Sequence, residues 1–124
     1  MHSSEPTLQQ LAMRLRQATS QTPLRCKEVL EPISSQLRIA YVEHFEASPG
    51  SSLLIDPIEL HPDFAELVAA VKRKGQQLLD DGKLGTGVRG RSGRMWGWMK
   101  RTLAERHQLD WRTPLEMTPG IALD

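Results

Sequence analysis

Cysteine is almost missing: Cys26 is the only one in 124 residues. A lone thiol cannot close a disulfide within the chain, so a disulfide framework is excluded, and metal binding through cysteine pairs with it. Long apolar runs are missing too, and nothing approaches the roughly 18 residues that a membrane-spanning helix needs. The opening stretch, MHSSEPTLQQ, lacks the basic and apolar regions of a secretion signal, which makes the cytoplasm the expected location. The four histidines, His2, His44, His61 and His107, have no metal-ligand spacing. No metal, cofactor or membrane is therefore expected. Alternation with a period of two persists nowhere, and no internal repeat is present.

What is present is helical spacing. Leu8, Leu11, Ala12 and Leu15 form one stripe of a 3.6-residue period, and Thr7 with Gln10 has the spacing of a capping box. Thr22-Pro23 restarts the chain, and Pro32 breaks it again. Ile33, Leu37, Ala40, Tyr41 and His44 mark the next face, with His44 expected as a hydrogen-bonded core histidine. RIAYVEHF within it fits a helix or a strand, and helix is preferred. SPGSS (48–52) is a loop, and LLIDPIEL (53–60) reads as an extended connector packed on the core. Pro62 is placed at the first position of a long helix whose inner face is Phe64, Leu67, Val68, Val71, Gly75 and Leu78, with a stop at Gly82. A glycine-rich loop spans 83–91. Ser92 is expected to cap a helix over about 93–108, with Trp96, Met99 and Leu103 inward. Thr113-Pro114-Leu115-Glu116 is a proline-primed capping box opening a single turn. The spacing predicts an all-α chain: one helical domain over 1–124, a bundle of about four or five helices with a Gly/Arg-rich loop before the last long one.

Charge is concentrated in one place. Residues 83–112 hold eight lysines and arginines against two acidic residues, although the whole chain carries only +1. Blocks of this kind describe partners rather than folds. Gly85, Gly87 and Gly90 satisfy the letters of G-x-G-x-x-G, but a helix end precedes them where a dinucleotide fold needs a strand. The physical content survives: glycines let backbone N–H groups approach an anion, and a following helix start adds its own. Arg89, Arg91 and Arg94 bring forked guanidiniums suited to phosphate, and Lys100, Arg101 and Arg106 extend the charge along the helix. Trp96 and Trp98 stand about 200° apart on such a helix, so one belongs inside. Trp96 is the inward one, and Trp98 is expected on the exposed face, where it would stack on a base or fill a partner's pocket.

Cys26 lies between Arg25 and Lys27 with no adjacent base, so no catalytic residue is assigned and an enzyme is not expected. LDWRTPLEM (Leu109–Met117) resembles the tail of the toxin-binding antitoxins of the ParS/MbcA type. Over those nine residues the resemblance implies a protein-interaction role. The reading preferred on the residues is a small bacterial or phage-type nucleic-acid-binding protein. It contacts phosphates through residues 85–106, with Arg89, Arg91, Arg94, Trp98, Lys100 and Arg101 as the binding set. The alternative is an antitoxin-like or regulatory adaptor using the same Arg/Trp surface on an acidic protein partner.

Overall fold

The computed structural model of the chain describes residues 5–119. Among them all regular structure is helical: six α-helices and one short 3-10 turn, with no strand. The chain divides between Leu53 and Leu54 into two compact units.

In the first unit, α1 (Leu8–Thr19) starts where the capping box places it: Thr7 Oγ1 accepts from the Gln10 N–H, and Gln10 Oε1 accepts from the Thr7 N–H. Leu11, Ala12, Leu15 and Ala18 form its buried stripe. α2 (Pro23–Leu30) opens with Thr22 accepting from the Arg25 N–H and Pro23 in the first turn, where a missing N–H costs nothing. The last carbonyls of a helix have no partner inside it. Here Arg38 supplies one, its Nε and Nη2 donating to the carbonyls of Leu30 and Glu31 at 2.7 Å each. α3 (Ser35–Ala47) settles the helix-or-strand ambiguity, beginning at Ser34, which accepts from the Leu37 N–H. α1 packs on both α2 and α3, and Arg14 forms a two-point pair with Glu46 of α3 at 2.6 and 3.0 Å.

The buried residues of α3 are Tyr41, Val42 and Phe45, and His44 is exposed, its ring meeting the edge of Phe45 at a centroid distance of 5.1 Å. The helix is rotated by about one position from the face read in the sequence, because Val42 and Phe45 bury more apolar area than Ala40 and His44 can.

In the second unit the expected extended connector contains the 3-10 turn, Pro57–Leu60, capped by Asp56, whose Oδ1 accepts from the Ile58 N–H. α4 (Ala65–Asp80) starts later than Pro62. Residues 61–64 form a turn in which the His61 carbonyl accepts from the Phe64 and Ala65 N–H groups. Val68, Val71, Gly75 and Leu79 are its buried residues, while Leu67 and Leu78, read as inward, are half-covered. α5 (Arg91–His107) begins at Gly90, which has a left-handed φ of 74°, and not at a Ser92 cap. α4 and α5 pack together and share a core with Met99, Leu103, Leu109 and Trp111. Gly75 permits the close approach: a Cβ there would sit 3.1 Å from the Trp98 ring and 3.2 Å from Met95. The single turn α6 (Pro114–Met117) has the capping box expected of Thr113 and Glu116. Beyond it, buried Thr118 accepts from the Leu54 N–H at 2.8 Å, joining the two ends of the unit.

Candidate nucleic-acid interface

The loop between α4 and α5 is shaped by glycines in the left-handed region: Gly82 at 76°, Gly85 at 103° and Gly90 at 74°. Residues with a side chain rarely hold such φ values, and the loop turns back on itself at each of them. Arg94 then fastens it. Its Nη1 donates to the Arg89 carbonyl at 2.6 Å and its Nη2 to the Gly87 carbonyl. Its stem lies on Gly85, where a Cβ would come within 3.0 Å of the Arg94 Nε. That Nε is buried with no hydrogen-bond partner. Arg94, expected in the phosphate-binding set, is therefore a half-buried strut whose guanidinium is already bonded to two loop carbonyls.

Lys100 is also engaged. Its ammonium donates to the Trp111 carbonyl at 3.0 Å and to Glu116 Oε1 at 2.8 Å, tying α5 to α6. The hydrogen bond from Lys100, helped by the Thr113 N–H, holds the Glu116 carboxyl below the usual carboxylate range. Trp98 is half-buried, not fully outward. Its ring covers Gly75 and, with Leu67 and Leu78, lines a groove between α4 and α5. Trp96 and Trp98 are both partly buried against the same core, because α5 presents a broad flank to α4 instead of one narrow stripe.

Three of the six expected binding residues keep an outward position. Arg89 is exposed on the loop beside Val88, and Arg101 is exposed on α5. Arg91 forms a pair with Asp80 at 3.3 Å, both side chains well exposed. Exposed pairs are worth about 0–1 kcal/mol, so Arg91 can exchange its partner cheaply. Between these cations α5 carries Gly93 and Gly97. A Cβ at Gly93 would meet nothing within 4 Å, and one at Gly97 only the Arg101 guanidinium at 3.5 Å. Positions 93, 97 and 101 follow one ridge of the helix at i, i+4 and i+8.

The residues that organise this unit from within escaped the sequence reading. Trp111 is its largest fully buried side chain, and its indole N–H donates to Glu59 Oε2 at 3.0 Å. The other oxygen of Glu59 accepts from Lys72, also at 3.0 Å. Asp56, buried, accepts from the Arg112 backbone N–H at 2.9 Å and from its guanidinium at 3.2 and 3.3 Å. Asp56-Pro57 carries a cap-and-proline signal that points to Asp56.

Elsewhere the chemistry is quiet. Burial pushes the Cys26 thiol up, away from a reactive thiolate. Among the described residues no three His, Cys, Asp or Glu side chains come together as metal ligands would. No helix among them is long and apolar enough to cross a membrane. The Leu109–Met117 stretch serves the unit's own interior, with Leu109, Trp111, Pro114 and Met117 all buried. Comparison with known protein families, with curated protein sequences and with solved structures finds no match to this chain.

Proposed function

We propose that the protein binds nucleic acid through its phosphates, with the outward ridge of α5 and the loop before it as the contact surface. Arg89, Arg91 and Arg101 supply the charge. Arg94 and Lys100 act indirectly, by keeping the loop and the helix in place. Trp98 has one part of its ring packed on Gly75 and the rest on the groove beside Arg106, so the reading rests on phosphate contacts, which are insensitive to sequence, and not on base stacking.

The observation that supports this reading is the pair of outward glycines. A glycine inside a helix costs about 0.5–1 kcal/mol relative to alanine. Packing within the chain gives no reason for that cost at Gly93, and little at Gly97. A helix face with glycines at 93 and 97 and the Arg101 guanidinium beside them lets a bulky anionic backbone come close to the peptide groups.

Gly97→Ala tests this with two effects of opposite sign. The variant should gain about 0.5–1 kcal/mol in a urea melt. Its affinity for a fluorescein-labelled generic duplex, read by anisotropy at low salt, should fall by at least about threefold as the methyl group holds the backbone away. A gain in stability with unchanged duplex affinity would remove the ridge from the interface. No duplex binding at all by the native chain would transfer the arginines to an acidic protein partner.

A further inference from the structure

The first unit has a surface that its own fold does not account for. A groove of about 750 Å³ runs between α1 and α2. Its apolar part is Leu8, Ala12 and Met13 from α1 with Pro23 and Leu24 from α2, and Arg16 and Lys27 stand along it. Met13 is 55% exposed and Leu24 is 68% exposed, two of the three large apolar side chains of the described residues that lie open to solvent. Neither is used by the core, which on these helices is built from Leu11, Leu15, Cys26, Val29 and Leu30. Met13 and Arg16 are three apart on α1, and Leu24 and Lys27 three apart on α2, so each helix sets one apolar and one cationic side chain on the same face.

The geometry points to a docking groove for an acidic amphipathic helix of a partner protein. Two antiparallel or crossed helices with an apolar channel between them receive a third helix through anchors spaced i, i+3/i+4 and i+7. Methionine suits the channel because its unbranched thioether adapts to the incoming side chain. Charge selects the occupant. The residues lining the groove include Arg16 and Lys27 and no carboxylate, so glutamates flanking the partner's apolar stripe meet complementary charge. The same charges argue against a second copy of this chain. A two-fold interface through the groove would set the cationic pair Arg16 and Lys27 against the same pair of the second copy. This inference concerns residues of the first unit only, so it stands or falls separately from nucleic-acid binding by α5.

The test uses the full chain and a labelled synthetic peptide of about 18 residues, helical by design, with leucines at i, i+3, i+4 and i+7 and glutamates on both flanks. Anisotropy should report saturable binding. Leu24→Ser and Met13→Ser should each weaken it by about tenfold or more, with the melting midpoint unmoved because both side chains are mostly exposed. Lys27→Glu should weaken the acidic peptide and strengthen a lysine-flanked version of it. Equal binding by the native chain and all three variants, or no binding, overturns the inference. So does sedimentation showing a dimer that Leu24→Ser dissociates, which would make the occupant a second copy. Binding to anionic phosphatidylserine vesicles that Leu24→Ser abolishes, with no peptide binding, would make it a lipid surface and overturn it equally.

Discussion

Trp111→Ala should destabilise the second unit by about 3–5 kcal/mol, the range for emptying a fully enclosed large aromatic site. Trp111 is 1% exposed and shares its core with Val68, Val71, Met99 and Leu103, so both α4 and α5 lose contacts. Against the 5–15 kcal/mol that ordinarily separates folded from unfolded chains, such a loss is a large fraction of the total. The hydrogen bond adds a second, separable component. Trp111→Phe keeps most of the ring but leaves Glu59 Oε2 without its indole donor, on a side chain that is itself only 8% exposed. That variant should cost about 1–3 kcal/mol. All three tryptophans lie after Leu53 and the one tyrosine, Tyr41, before it, so tryptophan-selective fluorescence in a urea titration follows this unit. A Trp111→Ala shift below about 1 kcal/mol would mean that the unit can close around the missing ring.

Asp56→Ala should be the next largest loss, at about 2–4 kcal/mol. Two contributions make it up. Removing the cap of the 3-10 turn costs about 1 kcal/mol. Leaving the Arg112 backbone N–H without its acceptor costs about 1–3 kcal/mol more. The guanidinium of Arg112 adds little, because its side chain is 45% exposed and regains water when the pair is lost. The prediction is therefore asymmetric: Arg112→Ala keeps its backbone N–H bonded to Asp56 and should cost under about 1 kcal/mol in the same titration. Equal losses from the two variants would place the energy in the ion pair and contradict the assignment to backbone bonds.

Much of the architecture can be read from single residues. Thr7 with Gln10, Thr22 with Pro23, and Thr113 with Glu116 announce helix starts, because cap chemistry is local: the partners lie within a few residues and tertiary contacts are not needed. Pro32 announces a break for the same reason. Helix faces are harder. The sequence puts His44 inward and leaves out Val42, since a 3.6-residue period fits several stripes and only the neighbouring helix chooses between them. The start of α5 was missed because its N-cap is a left-handed glycine, which has no side chain to announce it. In the candidate site, composition located the basic region but not the division of labour within it. Arg89 and Arg94 are alike in sequence, yet one lies open and the other binds two loop carbonyls, a difference made by Gly85 leaving space for the Arg94 stem. The sequence places Lys100 in the cationic set along α5 and does not announce its partners, Trp111 and Glu116, which are eleven and sixteen residues away.

If Arg89, Arg91 and Arg101 neutralise phosphates as proposed, the salt dependence of duplex binding has to show it. Anisotropy of a labelled generic duplex should give an observed association constant that falls linearly on log–log axes as salt rises. Three duplex contacts at about −0.9 each predict a slope near −2.7. Replacing Arg89, Arg91 and Arg101 together by alanine should bring the slope close to zero without moving the melting midpoint, since none of the three is buried. A native slope near zero, or a steep slope that survives the triple replacement, would contradict the account.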